Sequence, residues 1–177
     1  MIAPVFVDTN IFVYARDPRE PIKMARAAEW LGLLWREQRG RTSAQVLSEY
    51  YSVVTRKATM GVAPEVAWEY VRALMEWNPQ QIDSALLARA QVIEGRHRLN
   101  WWDCLIVAAA QAQGCALLLT EDLQDKAIYG GVTVCNPFLL AVADEGGAYS
   151  APPRVASRYR GRGRPRKSPG RLTAASS

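Results

Sequence analysis

The sequence predicts one α/β domain built around a mostly parallel sheet. Three short segments are apolar without alternation, as buried strands of parallel sheets are: Val5–Asp8, "CALLLT" from Cys115 and "VTVC" from Val132. Segments with apolar residues at helical spacing separate them, and this alternation favours an α/β fold. The chain has 177 residues, of which 49% are apolar and 22% charged, a composition typical of a globular protein with a single core.

Prolines, glycines and capping residues set the predicted helix ends. Residues 21–39 form a helix with Pro21 at its first position and Gly40 as its stop signal. The next helix begins at Thr42, which is placed to form a capping box with Gln45. The remaining predicted elements are a helix from Pro64 to Trp77, a short strand at Gln80–Ile82, a helix from Asp83 or Ser84 toward Arg98, a helix from an Asn100 cap to Gly114, and a short helix from Asn136.

Basic residues are concentrated at the C-terminal end of the chain. From Ala151 onward there are 8 basic residues and no acid, whereas the first 150 residues hold 14 basic and all 17 acidic residues. From Glu145 the sequence is rich in Gly, Ala, Ser, Pro and Arg, a composition that cannot bury enough apolar surface to form a core. We therefore predict a folded domain over residues 1–144 and a disordered basic tail over residues 145–177, suited to nucleic acid or another acidic partner.

The composition argues against several classes of protein. No apolar run approaches the ~20 residues of a membrane span, and the first ten residues lack the features of a signal peptide. We expect a cytoplasmic protein without membrane contact. The three cysteines are widely spaced and His97 is the only histidine, which argues against structural zinc, a disulfide framework and a Ser-His-Asp or Cys-His hydrolase.

Four acidic residues fall where a solvent-facing helix surface is not expected. Asp8 ends the first strand, Glu49 has apolar neighbours, Asp103 lies in the first turn of the most apolar helix, and Asp122 follows the "ALLL" strand. Open α/β sheets bind ligands at the carboxyl ends of their strands. Carboxylates gathered there repel one another and raise one another's pKa, a conflict that a hard cation such as Mg²⁺ removes.

Each acid also has an ordinary explanation when it is taken alone. Asp103 could simply favour a helix N-terminus, Glu49 could be a solvated residue at a helix edge, and Asp8 or Asp122 could be a turn residue. The joint placement of all four favours a metal site. Aspartyl-phosphate transfer also begins with an Asp after a buried strand, but it needs a second Asp where this chain has Asn10.

Four motifs, in this order, resemble the PIN domain and in particular the toxin ribonucleases of bacterial VapBC toxin–antitoxin pairs: "VFVDTNIFVYA", "AQVLSEYYSVVTRK", "WWDCLIVAAAQAQGC" and "LLLTEDLQD". The resemblance runs from about Ile2 to Phe138. It implies a Rossmann-like α/β/α sandwich and a Mg²⁺- or Mn²⁺-dependent endoribonuclease. The implied metal ligands and catalytic residues are Asp8, Glu49, Asp103 and Asp122, with Asn10 and Thr120 in support and Asp125 as an optional further acid.

The resemblance also has implications for partners. It implies an RNA substrate and a cognate antitoxin, which would dock between the helices of residues 21–39 and 64–77, and we expect a homodimer. This chain departs from the family pattern at Lys126, where relatives usually have glycine after the last acid. The departure leaves the shape of that loop and the role of Asp125 open.

The segment "RGRPRK" in the tail resembles an AT-hook, a thin peptide that lies in the minor groove of A·T-rich DNA. The alternative is a generic polybasic tail that binds any polyanion, RNA included. A second function class also stays open, a PIN-fold protein without catalysis that binds DNA or another partner through this tail, although the complete set of acids argues against it. The predicted nucleic-acid-binding residues are Arg160, Arg162, Arg164, Arg166 and Lys167.

Overall fold

A five-stranded sheet with helices packed on it forms the part of the chain that the computed structural model describes, residues 3–56 and 58–140. The predicted α/β class is confirmed. A short 3₁₀ turn at Met75–Trp77 follows the fourth helix. The elements are β1 (Val5–Val7), α1 (Thr9–Tyr14), α2 (Pro21–Arg36), β2 (Gly40–Arg41), α3 (Ala44–Thr55), α4 (Pro64–Leu74), α5 (Ser84–His97), α6 (Trp101–Ala112), β3 (Leu117–Leu119), β4 (Ile128–Tyr129), β5 (Val132–Cys135) and α7 (Pro137–Leu140).

The strand order is β2-β1-β3-β5-β4, and all pairs are parallel except the β4–β5 pair. In the register of β1 and β3, Val7 is opposite Leu119. The next residues, Asp8 and Thr120, therefore leave the sheet side by side, and the Asp8 N–H donates to the Leu119 carbonyl at 3.1 Å. The sheet places the carboxyl ends of its two central strands at one point.

The core beneath this edge is almost wholly apolar. Phe6, Val7, Leu118 and Leu119 are fully buried, and burial of an aliphatic or aromatic side chain of this size contributes about 1.5–3 kcal/mol. In α6 every residue from Asp103 to Ala110 is buried, which agrees with its prediction as the most apolar helix. The strands that carry the polar edge are thus anchored on both faces.

The structure corrects three predicted element boundaries in the N-terminal half. The first strand ends at Val7, and Asp8 caps a fully buried six-residue helix, α1, where a polar turn was one expectation. The cap of α3 is Ser43, whose Oγ accepts the Val46 N–H at 3.3 Å. Thr42 is not the cap, because its hydroxyl donates to the Val7 carbonyl at 3.4 Å and is thereby turned toward β1.

The sequence predicted that Gly40 stops a helix, but α2 already ends at Arg36 and Gly40 begins β2. A Cβ atom at Gly40 would collide with the ring of Trp77, so the glycine allows that ring to pack against the strand. The predicted strand at Gln80–Ile82 is reduced to one isolated parallel bridge between Gln80 and Ser43. Strands β2 and β4 were not predicted because two residues carry no hydrophobic period.

The predicted tail, residues 145–177 with its AT-hook-like segment, lies outside the described residues. The domain boundary at residue 144 therefore stays a prediction. Within the ranges that the structure describes, none of the helices has the length and hydropathy needed to span a bilayer.

Candidate active site

Asp8 is buried at the carboxyl end of β1, with 8% of its surface exposed. Its Oδ1 accepts the Thr9 N–H at 2.7 Å, which is the cap of α1. Its Oδ2 accepts the Thr120 hydroxyl at 2.8 Å across the β1–β3 junction. The carboxylate is thus fixed in direction by the two strand ends that the sequence predicted to converge.

Asn10 connects Asp8 to the loop after β3. Its Nδ2 lies 3.1 Å from Thr120 Oγ1, 3.2 Å from Asp122 Oδ2 and 3.5 Å from Asp8 Oδ2. The Asp122 N–H in turn donates to Thr120 Oγ1 at 3.1 Å. One amide group therefore holds the exposed Asp122 carboxylate toward the buried Asp8, which gives Asn10 and Thr120 the supporting contacts that the resemblance implied.

Glu49 joins the same network from α3. Its Oε2 accepts the Thr9 hydroxyl at 3.1 Å, and its Oε1 accepts Gln45 Nε2 at 3.3 Å. Gln45 Nε2 also lies 3.4 Å from the carbonyl oxygen of Trp102, the residue before Asp103. A chain of contacts thus runs from α1 through Glu49 to the first turn of α6.

Asp103 and Asp125 have different surroundings from the other acids. Asp103 is buried in the first turn of α6, where the Asn100 side chain both caps the helix and contacts the Asp103 carboxylate. Asp125 Oδ1 accepts the Asn136 N–H at 2.9 Å, a contact that fixes the junction of β5 and α7. The hydrogen-bond network therefore gathers Asp8, Glu49 and Asp122, with Asp103 next to its end.

The electrostatics of this network favour a bound cation. Burial, together with the negative charges of Asp122 and Glu49, raises the pKa of Asp8 from 3.8 to about 7, although the hydrogen bonds from Thr120 and Thr9 act in the opposite direction. The Asn10 Oδ1 is buried and has no hydrogen-bond partner among the described residues. An ionised Asp8 is thus disfavoured by the protein alone, while an unused oxygen lies beside it.

The donor set fits Mg²⁺ or Mn²⁺, both of which bind carboxylate and amide oxygens. Within the described ranges no three His, Cys, Asp or Glu side chains converge closely enough to hold one ion as a group. Mg²⁺ is nevertheless bound in many sites through only one or two carboxylates, with waters and phosphate oxygens completing its shell. Asp8 together with Asn10 and Asp122 satisfies that smaller requirement in chemical type.

The family model of the PIN domain matches residues 5–129 of this chain. The chain belongs to the PIN domain family. Ribonuclease VapC23 of Mycobacterium tuberculosis, from strains CDC 1551 / Oshkosh and ATCC 25618 / H37Rv, is 35% identical over 123 residues, which cover 67% of this chain and 92% of the relative. This PIN domain is therefore a homologue of the VapC ribonucleases.

A solved structure described as a toxin–antitoxin complex from Klebsiella pneumoniae has the same fold. It matches this PIN domain with a TM-score of 0.53 at 21% identity, over 76% of this chain and 98% of the other. At that identity the likeness shows the fold alone. It agrees with the α/β class predicted from the sequence.

Two residues of the PIN domain's acidic network, Thr9 and Gln45, were not predicted from the sequence. Gln45 precedes Glu49 by four residues on α3, so both lie on the same helix face, and this spacing was a usable signal. Thr9 gave a weaker signal, because a residue at the start of a helix after a strand can face either neighbour. Only the packing of α1 against α3 directs its hydroxyl to Glu49.

An antitoxin was predicted to dock between α2 and the α4 segment, where two tryptophan rings are in contact. There the rings of Trp35 and Trp77 pack together with centroids 5.1 Å apart. A cavity of about 550 Å³ lies instead along α3 and α4 and is lined by Tyr51, Trp68 and Met75 among others. Trp68 and Met75 are about half exposed there, so this PIN domain presents an apolar surface beside its predicted partner groove.

Proposed function

We propose that this PIN domain is a Mg²⁺- or Mn²⁺-dependent endoribonuclease that hydrolyses phosphodiester bonds in RNA. The observation that carries the proposal is the buried Asp8 carboxylate, hydrogen-bonded through Thr9, Asn10 and Thr120 to a network that includes Glu49 and Asp122. Its similarity to a relative named a ribonuclease supports RNA as the substrate.

We propose Asp8, Glu49, Asp103 and Asp122 as ligands of one or two ions, directly or through water, since no three of them converge on a single ion within the described residues. When bound, a divalent ion supplies an activated water and stabilises the charge that develops on the phosphate and the leaving oxygen. The protein's part is to orient the carboxylates: Thr120 and Thr9 hold Asp8, while Thr9 and Gln45 hold Glu49. The buried Asn10 Oδ1, which has no hydrogen-bond partner among the described residues, is a further oxygen that could bind the ion.

The surroundings of the cysteines and the histidine support water as the nucleophile. Burial raises the pKa of the Cys104 thiol to about 11 and that of Cys115 to about 12, which keeps both protonated at neutral pH. The exposed His97 packs edge-on against the Tyr129 ring at 5.0 Å. These side chains are poorly suited to nucleophilic attack on a phosphodiester.

The test compares Asp8→Asn and Asp103→Asn with Asp83→Asn in the full chain. Asp83 caps α5 at an exposed position, so its substitution controls for the loss of one carboxylate at a helix start. With Mn²⁺ or Mg²⁺ and a model RNA, we expect the first two variants to lose at least ~100-fold in rate, about 2.7 kcal/mol of transition-state stabilisation. Cleavage by either variant at the wild-type rate would reject the metal-site assignment, and cleavage in EDTA would reject metal dependence.

We further propose that the chain is the toxin of a toxin–antitoxin pair, forms a homodimer and binds a cognate antitoxin. The support is the shared fold with a solved toxin–antitoxin complex and the exposed apolar surface beside α4. Co-expression with a small DNA-binding protein encoded next to it should relieve growth arrest and give a stable complex. Growth unaffected by the chain alone would count against the toxin role.

A further inference from the structure

Lys23, in the first turn of α2, forms an ion pair with Glu121 directly beside the acidic network. Its Nζ lies 2.6 Å from Glu121 Oε2 and 3.1 Å from the hydroxyl oxygen of Tyr14. The Tyr14 hydroxyl donates to the other carboxylate oxygen, Glu121 Oε1, at 2.6 Å. Both oxygens of Glu121 are therefore held, one from α1 and one from α2.

Aromatic rings enclose this ion pair. The ammonium of Lys23 lies 4.2 Å from the centroid of the Tyr14 ring and 5.0 Å from that of Phe138 on α7. Only 28% of the Lys23 side chain and 10% of the Glu121 side chain are exposed. A pair shielded in this way is screened less by salt than a surface pair, and its geometry is better defined.

The clamped residue is the neighbour of a proposed metal ligand. Glu121 precedes Asp122, and Asp122 faces Asn10 at 3.2 Å. Asn10 and Tyr14 are four residues apart on α1, so the same face of that short helix contacts both members of the Glu121–Asp122 pair. The loop after β3 is thus attached to α1 at two successive residues.

We infer that Lys23 is a positioning residue for Asp122: together with Tyr14 it clamps Glu121 and thereby keeps the exposed Asp122 carboxylate beside Asn10 and Asp8. This inference rests on the proposed function, which assigns Asp122 to the metal. Lys23 donates to Glu121 and to Tyr14, and it acts on Asp122 through Glu121.

The direction of the change in metal affinity distinguishes a positioning role of Lys23 from a purely electrostatic role. Removal of the Lys23 ammonium takes away a cation and leaves the negative charge of Glu121 unbalanced. By Coulomb's law this change in charge should strengthen the binding of a divalent cation. Loss of the clamp should weaken binding, because Asp122 is no longer held in place. Partners that orient a metal ligand typically contribute 10- to 100-fold to affinity.

The experiment measures Mn²⁺ affinity and the Mn²⁺ dependence of RNA cleavage for the full chain carrying Lys23→Met or Tyr14→Phe. We expect Lys23→Met to raise the half-saturating Mn²⁺ concentration about 10-fold, while the rate at saturating Mn²⁺ stays within about 2-fold of wild type. Tyr14→Phe keeps the ring and the ammonium, so a smaller shift in the same direction is expected. Arg26→Met is the control, because it removes a pair with the exposed Glu29 on the same helix.

Unchanged or tighter Mn²⁺ binding by Lys23→Met overturns the inference. If the affinity is unchanged and only the melting temperature falls, the role of Lys23 is merely structural. If Lys23→Met does not fold, Tyr14→Phe decides by the same criterion. The proposed function fails in a different way, since wild-type protein would then show no Mn²⁺-dependent cleavage.

Discussion

Replacement of Asp8 by asparagine should stabilise the metal-free protein, and the gain should depend on pH. Burial and the nearby charges of Asp122 and Glu49 raise the pKa of Asp8 from 3.8 to about 7. Between these two values the unfolded chain has lost the proton of Asp8 while the folded chain keeps it. The folded state then binds more protons than the unfolded state, so the free energy of unfolding falls as pH rises from about 4 to 7 and stays low above that.

The size of the penalty follows from the same shift. A pKa difference of about 3 units corresponds to roughly 4 kcal/mol at pH 8, which is an upper limit for the gain. Asparagine keeps the cap of α1, because Asn and Asp are equally good at that position. It replaces one charged acceptor for the Thr120 hydroxyl by a neutral group, so we expect a net gain of about 1–3 kcal/mol, or roughly 3–10 °C in melting temperature.

The assay is urea unfolding in EDTA from pH 4 to pH 8.5, with Asp83→Asn as the matched control. Asp83 accepts the Leu86 N–H at 2.8 Å and caps α5 from an exposed position, so it makes the same kind of cap contact without the burial. The Asp8 variant should unfold at a higher urea concentration than wild type at pH 8.5 and at nearly the same concentration at pH 4. The control should differ little from wild type.

Two results would refute the reasoning. If Asp8→Asn gains nothing at pH 8.5, the buried carboxylate is not under strain in the metal-free fold. If it gains equally at pH 4 and pH 8.5, the effect comes from packing or capping and not from ionisation.

Two further predictions concern the loop after β3 and the tail. Lys126 has a left-handed backbone (φ 64°), so Lys126→Gly should raise the free energy of unfolding by up to about 1 kcal/mol and Lys126→Val should lower it. A valine variant as stable as the glycine variant in urea would contradict this. Deletion of Ser157–Ser177 should leave cleavage of a short RNA nearly unchanged but weaken binding to long nucleic acid, with a log–log salt slope of about −0.9 per phosphate contacted on duplex DNA. The isolated peptide of residues 157–177 is titrated against A·T-rich and G·C-rich duplexes. An AT-hook should prefer the A·T-rich duplex and lose that preference on Arg164→Ala, whereas a generic polyanion binder should bind both duplexes equally.

Local rules in the sequence determined most of the fold. The cap at Asn100 and the glycine after α6 lie where the sequence predicted, because each is specified by neighbours within one turn. The cap of α5 is Asp83, one of the two residues that the sequence allowed there. The start of α3 could not be fixed in the same way. Thr42 and Ser43 are both good caps, and only the contact of Thr42 with the Val7 carbonyl decides between them.

The candidate site was predictable to the extent that it depends on the sheet. Asp8 and Thr120 each follow a strand, so the α/β class predicts that both lie at the carboxyl edge of the sheet, but their contact also requires that β1 and β3 are neighbours in this register. The contacts of Gln45 with Trp102 and of Lys23 with Glu121 join residues 57 and 98 positions apart. They depend on how helices pack, which the period of apolar residues does not specify.

The hydrogen bonds around the acids explain how one site can be both unfavourable for stability and suited to a cation. Thr9, Thr120, Gln45 and Asn10 are neutral donors, so they orient the carboxylates without cancelling their charge. The ammonium of Lys23 is directed to Glu121, the residue before Asp122. Charge kept in this way destabilises the folded chain above pH 7, and the same charge attracts a divalent ion. Asp8→Asn should therefore both raise the free energy of unfolding of the metal-free chain and abolish RNA cleavage. A variant that shows only one of these two effects would contradict the link between the buried charge and metal binding.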